Sequence, residues 1–106
     1  MNCDLRNSPA DTSQRLLNAL EIGTVMPIHR HQTTSETQLL LRGKIDVMFY
    51  DDQRREIQRY HLDPSTGVYG VDIPAGMWHS LEVLEPAVLF EAKDGPYAPL
   101  APEDML

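Results

Sequence analysis

Apolar and polar positions alternate with a period of two over most of this chain. Residues 44–50 show it best: Ile45, Val47 and Phe49 fall on one side, and Lys44, Asp46, Met48 and Tyr50 on the other. This is the pattern of a half-buried strand. Residues 14–20 fit two templates. Leu16, Leu17 and Leu20 would share a helical face. A strand instead places Leu16, Asn18, Leu20 and Ile22 on one side, with Arg15, Leu17 and Ala19 on the other. The strand reading is preferred, because Gly23 follows at once and the chain then enters a β pattern. Residues 24–31 read as the next strand, with Pro27 marking an edge or a bulge because it has no N–H to give a ladder. Residues 36–42 follow, with Glu36, Gln38, Leu40 and Arg42 on one face, and Gly43 permits a turn into 44–50. Residues 51–55 form a charged, solvated hairpin loop, 56–62 a strand, 63–67 a loop and 68–73 a short strand. After the Pro74-Ala75-Gly76 turn, residues 78–84 and 87–93 read as a strand pair joined across Glu85-Pro86.

Many short strands with regular turn signals and no clear helix predict an all-β sandwich or barrel. With 106 residues, a single domain over 1–106 is expected. Residues 1–12 would form a loose N-terminal arm or lead-in strand, and 94–106 an irregular, proline-rich tail over the surface or the barrel mouth. A hydrophobic content of 42% is enough for a real core. The net charge of −7 repels phosphate backbones and anionic lipid, which argues against nucleic-acid and membrane-surface partners. There is no apolar run of membrane-spanning length, no apolar leader after Met1 and only one cysteine, Cys3. These features fit a protein of the reducing cytoplasm.

The candidate chemistry lies between Gly23 and Gly43. His29 and His31 stand at i and i+2, so on extended backbone both imidazoles face the same way and Arg30 faces the other. The polar run Gln32-Thr33-Thr34-Ser35 suits a turn that would return Glu36 to the two histidines. Far downstream, His79 begins an apolar run after the Pro-Gly turn and would be a fourth ligand. Three imidazoles and one carboxylate make a nitrogen-and-oxygen site for one divalent transition metal. With no thiolate, the set does not choose among Zn, Fe, Mn, Ni and Co. Gln38 shares a face with Glu36 and would orient a ligand or a metal-bound water. Tyr97 would cap the pocket through its hydroxyl or pack by its ring. His61 has no partner in any pattern and reads as surface or rim, and Trp78, one residue before a ligand, points away from the metal.

These two segments resemble the two motifs of the cupin superfamily. The first is matched throughout, from Gly23 through His29, His31 and Glu36 to Gly43. The second is matched at Pro74, Gly76 and His79, and departs at Val68, where a glycine is expected, and at Val83, where an asparagine is. The resemblance implies a jelly roll, a double-stranded β-helix barrel of two antiparallel sheets. Further matches at 14–20, 27–31, 41–43, 73–79 and 91–97 are similar to the small cupin metalloproteins of the WbuC family, found in bacterial surface-polysaccharide gene clusters. That likeness implies a metal site and a sugar-related context, and no particular reaction.

Two functions from different classes follow. One is a metal-dependent enzyme on a small polar substrate such as a sugar. It would work as an isomerase or epimerase through Lewis-acid stabilisation of an enediolate-like anion, or as an oxygenase with iron. The other is a non-catalytic sensor or binding module with a metal-anchored pocket for a carbohydrate or an acid. A general acid or base beside the open metal position separates them, and Tyr97, Glu91 and His61 qualify only if the fold turns them inward. A homodimer is expected, because small jelly rolls have edge strands to protect.

Overall fold

The computed structural model describes residues 2–106. Six strands form it: β1 (Asn2–Asp4), β2 (Ser13–Leu20), β3 (Glu36–Tyr50), β4 (Glu56–Leu62), β5 (Gly70–Ile73) and β6 (Trp78–Asp94). Every pairing is antiparallel, in the order β1-β2-β6-β3-β4 with β5 on β3. The two long strands each serve two layers. The first half of β3 lies between β5 and the second half of β6, which in turn pairs with β2. The second half of β3 lies between β4 and the first half of β6. This is an all-β jelly roll.

The bend between layers corrects two expectations. Gly43 is not a turn between two strands but a kink inside β3. Glu85-Pro86 does not join a strand pair but lies inside β6, whose halves therefore do not pair with each other. The register of β3 on β6 slips three times between Leu40 and Ile45, and these bulges absorb the bend. Pro86 sits where the ladder is interrupted, between the pairs Arg42–Val88 and Lys44–Glu85, so its missing N–H costs no bond. Gly43 has φ +90°, and a Cβ there would come 2.3 Å from the Pro86 carbonyl oxygen. The two backbones touch at this corner, and only glycine allows it.

Residues 24–31 are likewise extended but not a strand. Pro27 offers no donor, and only His29 bridges to β6: its N–H donates to the His79 carbonyl at 3.1 Å, and the His79 N–H donates back at 2.8 Å. Residues 63–67, expected as a loop, hold a one-turn 3-10 helix over Pro64–Thr66, capped by the Asp63 side chain.

The core lies between the layers. Leu40, Ile45, Val47, Leu62, Ile73 and Leu89 are essentially sealed from water, with Leu20, Phe49, Leu81 and Val83 around them. Ile45, Val47 and Phe49 are the inward set that the alternation predicts. β4 is an edge strand that buries only Leu62, leaving Ile57 and Tyr60 exposed. The N-terminal residues supply β1, paired to β2. Past Gly95 the chain has no regular structure apart from one 3-10 turn at Pro102–Asp104. That tail is tied down: the Arg30 N–H donates to the Asp104 carbonyl at 3.0 Å, and the Leu106 N–H to that of Ile28 at 2.9 Å. No helix among the described residues is long and apolar enough to cross a membrane.

Candidate metal centre

The reciprocal bridge between His29 and His79 sets two imidazoles side by side, and the extended backbone from His29 to His31 turns the third toward them. Ring centroids are 4.2 Å apart for His29 and His79, 5.3 Å for His29 and His31, and 5.7 Å for His31 and His79. One ring nitrogen of each lies within 4.8 Å of the other two. Nδ1 of His29 lies 2.9 Å from the Pro27 carbonyl oxygen, and Nδ1 of His79 lies 2.9 Å from that of Met77. A carbonyl only accepts, so both Nδ1 atoms carry the proton and the neutral rings present Nε2 lone pairs. Nε2 of His31 and Nε2 of His79 are buried with no hydrogen-bond partner. Burial lowers the His29 pKa, with the neighbouring His79 adding to the effect. Burial and then the Lys93 ammonium lower that of His31 to about 4. Neutral, orphaned, converging imidazoles are what a divalent cation needs, and the three could hold one.

Glu36 begins β3 beside this triad, and its carboxylate is buried. Its Oε2 is 3.5 Å from His79 Nε2 and accepts from Gln38 Nε2 at 3.0 Å, while its Oε1 is 3.4 Å from Lys93 Nζ. Burial alone would raise this acid. A doubly protonated His79, together with the Lys93 ammonium, outweighs it and holds the pKa at about 2. With the His79 proton on Nδ1, the 3.5 Å contact sets a lone pair against an anion, and a positive charge belongs between them. Glu36 is not among the three donors that all lie within 4.8 Å of one another.

A polar wall faces the triad. Across the sheet Gln14, Lys93 and Glu36 stand in one row, and Leu16, Glu91 and Gln38 in the next. Glu91 is drawn inward, with Oε1 at 3.5 Å from Gln38 Nε2. Burial and then the nearby Glu36 charge push its pKa up to about 7, against Lys93 and an Asn18 hydrogen bond. The Gln38 Oε1 atom is buried and unpartnered. These groups line a cavity of about 650 Å³, whose mouth is edged by the tail at Pro96, Tyr97 and Leu100.

The other singled-out residues fall as follows. Tyr97 reaches the cavity but is 60% exposed, with the Arg6 guanidinium 5.6 Å above its ring. His61 lies away from the site and pairs with Asp46 at 2.7 Å. Trp78 is buried, donates Nε1–H to Asp52 at 2.8 Å, and carries Arg30 stacked 4.2 Å over its ring. Arg30 also meets Asp104 at 3.4 Å. Arg15 pairs with Asp11 at 3.3 Å. Arg42 lines a separate shallow pocket around Glu21 and Pro86. Lys93, Gln14 and Asn18 are site residues that sequence reasoning missed. The apolar Phe90 and Ala92 suggest the opposite inward parity for the end of β6. A signal was present in the continuation of the inward Ala87, Leu89 series to 91 and 93.

Solved structures resemble this arrangement. The capsular polysaccharide assembling protein CapF from Staphylococcus aureus is 26% identical over 92% of this chain, with a TM-score of 0.77. The match covers 27% of CapF, so the chain spans about a quarter of that protein's length. CapF is also similar in a crystal structure with the inhibitor 3-isopropenyl-tropolone. A cupin 2 domain-containing protein from Halorhodospira halophila is 18% identical, with a TM-score of 0.74 over 95% of this chain and 68% of its own. Oxalate decarboxylase from Bacillus subtilis is 19% identical, with a TM-score of 0.67 over 82% and 22%. The last two speak to fold alone, and together with CapF they show the cupin jelly roll. No curated protein matches in sequence. A family model does match, over residues 1–62, and the chain belongs to that family, described as the domain of unknown function DUF6016.

Proposed function

We propose that this cupin domain is a metal-dependent enzyme acting on a small polar substrate of the sugar class, with His29, His31, Glu36 and His79 as ligands of one divalent transition metal. The observation that carries the metal is the pair of buried, partnerless Nε2 atoms on His31 and His79, with the Glu36 carboxylate against the second. A bound cation would supply Lewis acidity toward a carbonyl or hydroxyl oxygen. What favours catalysis over simple binding is Glu91, an inward carboxyl whose pKa burial and the nearby Glu36 charge push up to about 7. Such a group can take a proton from a substrate carbon and return it, as an isomerase or epimerase requires. Gln38 ties Glu91 to Glu36 and offers its free Oε1 to a substrate hydroxyl. Tyr97 sits at the mouth and closes over the substrate's outer end. The sugar context rests on the likeness to CapF, a capsular polysaccharide assembling protein, and on the WbuC-like segments.

Elemental analysis of protein purified without added metal or chelator tests the ligand set. Near-stoichiometric metal is expected in the wild type, with loss in His31→Ala and His79→Ala. Full occupancy in either variant would sink the assignment. Metal-loaded protein is then incubated in D2O with a panel of aldoses, ketoses and hexuronic acids. Deuterium should enter at the carbon beside the carbonyl, and Glu91→Gln should abolish that exchange. No exchange with any of them would leave a metal-anchored binding module.

A further inference from the structure

We infer that Lys93 is the anion-binding group of this pocket and that the substrate it selects carries a carboxylate. This deepens the reading above and rests on it. Lys93 ends the inward row of β6, with a side chain 18% exposed, and its ammonium faces the cavity beside Glu36 at 3.4 Å. Among the described residues Glu36 is its one ion-pair partner, so without metal the two charges cancel. A dication on the histidines changes the count. Glu36 then serves the cation, and the Glu36 and Glu91 carboxyls together offer at most two negative charges against the three positive charges of the cation and Lys93. The half-buried site is left with an excess of positive charge, which burial makes costly until an anion enters.

The kind of anion follows from the donors. One ammonium beside one cation suits a carboxylate whose neighbouring oxygen reaches the metal, as in a 2-hydroxy acid or a uronic acid. A phosphate calls for more donors, commonly an arginine fork or a row of backbone N–H groups. Among the described residues the arginine that lines the cavity, Arg30, is already engaged by the Trp78 ring and Asp104. Lys93 would therefore decide between acidic and neutral sugars, and Glu91 would stand beside the carbon to be deprotonated.

The test uses protein loaded with Co²⁺, whose d–d absorption reports what binds at the metal. It is titrated with glycolate, with its neutral analogue glycolamide, and with inorganic phosphate. Glycolate is expected to bind at least about tenfold tighter than glycolamide or phosphate. In Lys93→Gln, at unchanged metal content, the glycolate preference should vanish while glycolamide binds as before. Equal binding of glycolate and glycolamide by the wild type, or a preference that survives in Lys93→Gln, would overturn the role of Lys93. Tighter binding of phosphate would overturn the carboxylate assignment. A wild type that takes up no Co²⁺ fails the metal reading first, and elemental analysis shows that before any ligand is added.

Discussion

Two main-chain carbonyls, those of Pro27 and Met77, fix the tautomers of His29 and His79. They do at no cost what a carboxylate does in many metal sites, aiming Nε2 inward. The same economy leaves Glu36 free to be shared. Glu91 is the residue whose charge state is least settled by its partners, and it makes the clearest pH prediction. Its folded pKa of about 7 lies above the ordinary carboxyl value of 4.5, so the folded state holds the extra proton. The stability it contributes is full below pH 4.5 and is lost as pH rises toward 7. Glu36, held at about 2, acts only below 4.5, where stability falls as the medium acidifies. His31, lowered to about 4 from 6.5, gains stability with rising pH across part of the Glu91 window and masks it in the wild type. The difference between Glu91→Gln and wild type isolates the term. In metal-free protein the variant should gain on the order of 1–2 kcal/mol relative to wild type between pH 5 and pH 8. Urea unfolding at both pH values measures it, and a difference that does not change with pH would refute the buried-acid reading.

At the scale of elements, the bend shared by β3 and β6 does the positioning. It carries Glu36 and Lys93, at one end of the ladder, over to His79, which pairs with Phe49 at the other. Gly43 is its pivot. Gly43→Ala should cost about 2 kcal/mol or more, because it adds a left-handed φ penalty to a clash with the Pro86 backbone. Gly23→Ala is the control: its φ is also left-handed, at +89°, but a Cβ there meets nothing within 4 Å. It should cost only about 1 kcal/mol. Equal losses in urea midpoint would mean that the corner is not closely packed. This corner also marks where the sequence stops being readable. His29, His31 and His79 were legible because their spacing and flanking turn residues are local. Gly43 and Glu85-Pro86 carry turn signals that a hairpin and a bent strand share, and the choice is made by the opposing strand. Lys93 was hidden, and Glu91 stayed conditional, for the same reason: their parity depends on which side of β6 meets the core, and Phe90 and Ala92 point the wrong way.

At the scale of the molecule, the tail returns across the cavity mouth and docks on residues 28–32 through Asp104, which accepts from Gln32 Nε2 at 2.5 Å as well as from Arg30. Both ends of the chain therefore frame the site, since Arg6 covers Tyr97. The sheet keeps open edges at β1, β4 and β5. Exposed apolar side chains at Ile57, Val68 and Tyr69 lie on or beside two of them. We propose that these edges pair in a homodimer, as the length and pattern of the strands suggest. Light scattering should return twice the monomer mass of 12.0 kDa, and a monomer at micromolar concentration would defeat the proposal.

The long, bent ladder between β3 and β6 has a consequence in time as well as in space. Its two ends are far apart in sequence, so the donor set cannot come together until β3 and β6 have zipped past their bulged corner. Contacts of such long range form late and slowly. Metal capture during refolding would then lag behind strand formation, and its onset would serve as a clock for the final closure of the barrel.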